Sequence, residues 1–193
     1  MIFEILKILS EEINNYYGEE IVLLENISIL ESNSDRASEM EDKIILTLVN
    51  IKEEPTLKNY TSTTYANGLV NHQNPAINLN IFLLFCANRN TYVKSLSDLS
   101  KIVSFFQAKK IFTQDNTIYN RSLSSLANVG DFEFRVSLFT PSFEELNYVW
   151  GTLGGKQYPS VMYKLSIIQI DSGLINSQSA PVGKIVSNNA VSN

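Results

Sequence analysis

Residues 44–51 read Ile-Ile-Leu-Thr-Leu-Val-Asn-Ile, and residues 76–87 read Ala-Ile-Asn-Leu-Asn-Ile-Phe-Leu-Leu-Phe-Cys-Ala. Both read as strands, and the first is too apolar on both faces for an exposed one. In the second run Leu79, Ile81, Leu83 and Phe85 share one face, and Asn78, Asn80, Phe82, Leu84 and Cys86 the other. It therefore becomes more buried along its length, as a central strand does. With 44% apolar and 18% charged residues among 193, the chain has enough material for one sizeable core around that pair.

Helical spacing supplies the layers that cover them. Ile2, Ile5, Leu6, Leu9, Ile13 and Tyr16 form one stripe, with Gly18 placed to end the helix. Tyr92, Leu96, Leu99, Val103 and Phe106 form a second, predicting a helix over 91–108. Phe143, Leu146, Trp150 and Leu153 form a third, short helix, opened by Thr140-Pro141 or by a Ser142/Glu145 capping box and stopped by Gly154-Gly155. Further strands are expected over 21–30, over 132–138, where Phe132, Phe134, Val136 and Leu138 alternate with polar residues, and over 161–170. The polar stretch 31–42 joins two strands. Residues 55–75, with Asn67-Gly68 and Asn74-Pro75, predict a long loop. Residues 171–193 are rich in Ser and Asn and predict a flexible tail after a domain spanning 1–170.

Composition and motifs argue against most chemistry. A formal charge of -5, from 15 basic and 20 acidic side chains, disfavours a nucleic-acid partner. The single cysteine, Cys86, lies in an apolar run and reads as a buried hydrophobe. The single histidine, His72, falls in the polar loop without companions at ligand spacing, so neither a metal centre nor a base for a Ser or Cys nucleophile is expected. Asp35, Glu39, Glu41 and Asp42 lack a calcium-loop pattern and read as solvated surface. Glu144 and Glu145 suit the first turn of the third helix, where they complement its dipole. Gly151, Gly154, Gly155 and Lys156 follow a helix instead of preceding one, the wrong order for a phosphate loop. Glu4 and Lys7 interrupt the apolar N-terminus, and no run is long enough for a membrane helix, so synthesis in the cytoplasm is expected. No catalytic, cofactor or metal residue is assigned.

The segment Phe139 to Tyr163 carries a family resemblance. Its Leu-x-x-x-Trp-x-x-Leu-Gly helix, Leu146 to Gly154, is followed by Pro-Ser-Val-x-Tyr at Pro159, Ser160, Val161 and Tyr163. In this it resembles the tube-terminator, or cap, proteins of phage-tail-like contractile injection systems, relatives of the antifeeding prophage and the Photorhabdus virulence cassettes. Order of elements extends the resemblance over residues 1–170, through the strand around Glu25-Asn26-Ile27 and Asn74-Pro75. Longer relatives carry additional C-terminal sequence, and nothing of its role is transferred.

The resemblance implies an α+β fold, a mixed and mainly antiparallel sheet with about three flanking helices, like that of phage tail terminators. It implies a hexameric ring that caps the baseplate-distal end of the inner tube and stops tube and sheath polymerisation. The expected partners are the inner-tube and sheath proteins and further copies of the chain, with no cofactor, nucleic acid or membrane. Leu146, Trp150, Leu153, Gly154, Gly155, Tyr158, Pro159, Ser160 and Tyr163 are the motif positions that could form a subunit or tube interface. Trp150 reads as core, with an interface anchor as the alternative. Tyr158, Pro159 and Ser160 are divided between turn and contact surface. Arg135 is either a solvated cation or a partner for a carboxylate on a neighbouring subunit, and the segments 55–75 and 171–193 are those able to reach neighbours. The competing class is a small-ligand-binding or enzymatic domain with the loop 55–75 over a pocket.

Overall fold

The computed structural model describes residues 1–32, 34–54, 63–66, 68–74, 77–127, 129–170 and 175–179. It divides into two units, Met1–Glu54 with Leu79–Ile168, and Pro55–Asn78 with Gln169–Asn193.

In the first unit, helix α1 (Ile2–Tyr17) buries Ile5, Leu6, Ile8, Leu9 and Ile13 and stops where Gly18 takes φ 68°, its N–H bonding to the Asn15 carbonyl. Tyr16, expected on the inner stripe, is 61% exposed. Strand β1 (Val22–Leu24) runs parallel to β2 (Lys43–Glu53), pairing Val22 with Ile44 and Leu24 with Leu46. The expected strand over 21–30 is shorter than its composition suggests. Asn26 accepts the Ser28 N–H and caps a 3₁₀ turn at Ile27–Ile29, while Thr47 Oγ1 accepts the Ile27 N–H and donates to the Glu25 carbonyl. Polar side chains thus pull the backbone out of the sheet. The joining stretch contains a short helix, α2 (Asp35–Glu39), capped by Ser34.

Strand β5 (Ile77–Asn88) lies antiparallel to β2, matching Ile45 with Cys86 and Thr47 with Leu84, with a bulge between Leu48 and Asn50. After it come α3 (Tyr92–Ala108), β6 (Ile111–Thr113), β7 (Glu133–Phe139), α4 (Phe143–Thr152) and β8 (Ser160–Ile170). The sheet order is β1-β2-β5-β8-β7-β6, and β6–β7 and β7–β8 are antiparallel. This is the mixed, mainly antiparallel sheet with flanking helices expected for the family. One face carries Phe85 and Tyr163 against Phe106, with Phe105, Phe112 and Phe134 completing an aromatic core. The other carries Ile45, Leu84, Cys86 and Met162 against Trp150, Ile27 and Met40.

Helix α3 is where periodicity misassigns a face. Its buried residues are Ser95, Asp98, Ile102, Phe105 and Phe106. Tyr92, Leu96 and Val103 are 68%, 45% and 42% exposed. A carboxylate sits on the inner face because Arg89 Nε and Lys101 Nζ meet Asp98 at 2.6 and 3.0 Å and neutralise it.

In the second unit β3 (Thr63–Ala66) and β4 (Leu69–Gln73) form a hairpin, and β9 (Ile175–Ser179) pairs antiparallel with β4. Two expectations change here. The stretch 55–75 is not all loop, since β3 and β4 pair within it and Gly68, at φ 73°, lies between them. Within 171–193, expected as tail, Ile175–Ser179 are a strand. Residues 55–62, 67, 75, 171–174 and 180–193 of those two stretches lie outside the described residues.

Candidate interaction surface

The motif segment begins at α4, whose capping box is complete: Ser142 Oγ accepts the Glu145 N–H at 3.2 Å, and Glu145 Oε2 accepts the Ser142 N–H at 2.8 Å. Trp150 is 4% exposed and packs with Ile27, Met40, Ile45, Leu84, Cys86 and Met162, with Leu146, Leu153 and Tyr158 half-buried against that cluster. Its core reading holds. Gly154 and Gly155 take φ of 115° and 82°, and the Gly155 N–H closes on the Trp150 carbonyl at 2.7 Å. That donor is consumed by the helix stop and is not free for a phosphate.

From there the chain crosses to β8. Lys156 pairs with Glu31 at 2.9 Å and sits 5.3 Å from the Tyr158 ring centroid, and the Glu31 carboxylate raises its pKa. The Pro159 carbonyl accepts the Ala87 N–H at 2.9 Å, anchoring the turn to β5. Tyr163 points to the opposite face of the sheet. It is 2% exposed, its ring centroid lies 4.3 Å from that of Phe106, and burial pushes its phenol up to about 12. The motif residues therefore do not form one site. Trp150 and Tyr163 serve two different cores, Gly154 and Gly155 make the turn, and Leu146, Tyr158, Pro159 and Ser160 come together on the surface.

These four line an open groove of about 840 Å³ with Phe139–Phe143, Val161 and Met162 on one side and Tyr92, Leu96 and Leu99 of α3 on the other. Among the described residues no charged side chain lines it. Phe143, expected on the inner stripe of α4, stands 94% exposed on its lip. The charged residues of α3 are paired, Lys94 with Asp42 at 2.8 Å and Lys101 with Asp98 at 3.0 Å. Sequence reasoning missed this surface by placing Tyr92, Leu96 and Phe143 in the core.

Reactive groups are differently placed. Cys86 is fully buried, which pushes its thiol up to about 12 and makes it a poor nucleophile. His72 is not in a loop but on β4, with Nε2 3.1 Å from Ser179 Oγ, an exposed cross-strand hydrogen bond. Asp42, expected as solvated surface, is engaged. At φ 54° it holds Lys94 and the Asn90 N–H with its carboxylate and Arg89 with its carbonyl, and Lys94 above all lowers its pKa. Among the described residues no group of three His, Cys, Asp or Glu side chains could hold a metal ion. No helix among them is long and apolar enough to cross a membrane.

The mixed six-stranded sheet with its flanking helices has the fold of solved tube-terminating caps. The chain superposes on the sheath/tube terminator of PVC, an extracellular contractile injection system, in its extended state, with a TM-score of 0.62 at 14% identity. It superposes on the tube-terminating cap of the anti-feeding prophage with a TM-score of 0.57 at 15% identity. The matches cover 97% and 91% of this chain but only 62% and 57% of those chains. It thus spans about six-tenths of their length. No curated protein matches the sequence. The chain belongs to the Pvc16 N-terminal domain family, whose model matches residues 4–184.

Proposed function

We propose that this chain is a structural assembly protein that caps the baseplate-distal end of the inner tube and sheath of a contractile injection particle, ending their polymerisation. The family match over residues 4–184 carries the reading. The rigid double core and the uncharged groove support it, because a cap acts through surfaces and not through a reacting group. Its partners on this reading are the tube and sheath subunits and further copies of itself in a ring, with hexameric symmetry matching the tube. The motif contributes in two ways. Trp150, Gly154, Gly155 and Tyr163 hold α4 and β8 in place, and Leu146, Tyr158, Pro159 and Ser160 present the contact surface, with Leu153 beneath it. No bond is made or broken, and the chain, made in the cytoplasm, ends in the particle.

The test is to delete the gene in its particle-producing host and measure tube and sheath lengths by electron microscopy. Over-long or irregular tubes, restored to uniform length by the wild-type gene, are expected. Uniform lengths without the gene would refute the capping role.

A further inference from the structure

We propose that a second copy of this chain docks, through its acidic α2 edge, on the basic half of the β2-β5-β8-β7 sheet face; this rests on the ring just proposed. Register places the groups. Met162 and Cys86 share the face covered by Trp150, so Lys164 and Ser166 on β8 lie on that same face. The pairs Arg135↔Ser166 and Ser137↔Lys164 add β7, and Asn50↔Phe82 and Lys52↔Asn80 add β2 and β5. Helix α4 covers only the end around Trp150. Beyond Phe139 and Phe82, whose rings meet edge-on at 4.9 Å, Arg135, Ser137, Asn50 and Lys52 are exposed and Lys164 is half-buried.

Lys52, Arg135 and Lys164 make no ion pair with any described residue, as Arg36, Lys43, Lys110 and Arg121 also do not, and what sets the three apart is that they share one sheet face. Glu133 is the carboxylate that shares their strand face, and Glu54 accepts the Asn80 amide at 2.7 Å. Three unpaired cations around a half-buried aromatic pair have the anatomy of an interface, an apolar centre with a charged rim. In a chain of net charge -5 the complementary surface is its own. Asp35, Glu39 and Glu41, at and just beyond α2, are exposed and make no ion pair with a described residue, beside the single cation Arg36. The two surfaces are different parts of one chain, so the contact is head-to-tail, the kind that closes into rings.

The experiment uses the full chain and its mass by light scattering over a concentration series. Wild type is expected to associate, less so as salt is raised from about 0.05 to about 0.5 M. Arg135→Glu with Lys164→Glu, and separately Glu39→Lys with Glu41→Lys, should each weaken association by about tenfold or more while circular dichroism and Tm stay unchanged. An equimolar mixture of the two doubly reversed proteins should associate again, since every contact then joins opposite charges. A wild type that stays monomeric, reversals without effect, or a mixture that does not recover would each overturn the inference. Association indifferent to both reversals but lost in Phe143→Asp would assign the contact to the groove instead. None of these outcomes bears on tube length in the deletion strain, so capping and docking fail separately.

Discussion

Replacing Trp150 by alanine and by phenylalanine separates what the indole ring does from what its N–H does. The ring is 4% exposed and fills the space between Met40, Ile45, Leu84, Cys86 and Met162. Truncating a buried tryptophan to alanine costs about 3 to 5 kcal/mol. A cavity of about 40 Å³ already lies beside the ring, lined by Ile27, Leu30, Leu153 and Tyr158, so packing there is incomplete and the loss should fall nearer 3 than 5 kcal/mol. The Nε1–H is buried with no hydrogen-bond partner in the structure, and a group so placed costs about 1 to 3 kcal/mol. Trp150→Phe removes that donor while keeping most of the ring, so the two effects oppose and the net loss should be about 1 kcal/mol or less. Urea unfolding followed by far-UV circular dichroism measures both. In the wild type the single tryptophan also reports the site, its emission moving to the red on unfolding. A loss below about 1 kcal/mol for Trp150→Ala, or equal losses for the two variants, would refute the core assignment.

Asp98→Asn should cost about 3 to 5 kcal/mol in the same assay, because it leaves the buried Arg89 guanidinium short of its counter-charge; Arg89→Met in that background should recover part of the loss. Stability should decline in alkali. Burial lifts the Cys86 thiol from 9.0 and the Tyr163 phenol from 10.0 to about 12 each, so the folded chain holds protons that the unfolded chain releases. That stability is fully present below pH 9 and is lost as the pH climbs towards 12, and a Tm that stays level between pH 8 and pH 11 would refute it. Gly155→Ala should cost about 1 to 2 kcal/mol through its φ of 82° alone, since a Cβ there meets nothing within 4 Å; an unchanged urea midpoint would show that the turn relaxes freely.

What sequence could convey followed the range of the forces involved. The ends of α1 and α4 were legible because Gly18, the Ser142/Glu145 box and Gly154-Gly155 act on neighbours within one turn. The central strand β5 was legible because it is apolar on both faces. The early exit from β1 was not, since it depends on Thr47, twenty residues beyond Ile27, taking over that backbone hydrogen bond. The β3–β4 hairpin was hidden because its strands are short and polar, leaving only an Asn-Gly signal that also marks loops. Strand β9 has no local signature at all. Its place is set by pairing with β4, far away in sequence. Of the motif, the turn glycines and the tryptophan could be read in place, but the division of Trp150 and Tyr163 between opposite sheet faces required the β7–β8 register.

Helix α3 shows why the interaction surface itself was the least legible part. It carries an apolar stripe Leu96-Leu99-Val103 and, about a third of a turn round, the residues Ile102-Phe105-Phe106 that the structure buries. The sequence reading takes Tyr92, Leu96, Leu99, Val103 and Phe106 as the inner stripe, which leaves the Asp98 carboxylate off the buried face. The structure inverts that choice because Arg89, brought by the end of β5, removes the penalty for burying the carboxylate. The first stripe is then left facing water beside Phe143, which α4 holds rigidly by its capping box at 94% exposure. A chain that spends an ion pair to bury one stripe and leaves another uncharged and open is shaped for a partner, since exposed apolar patches of this kind favour association.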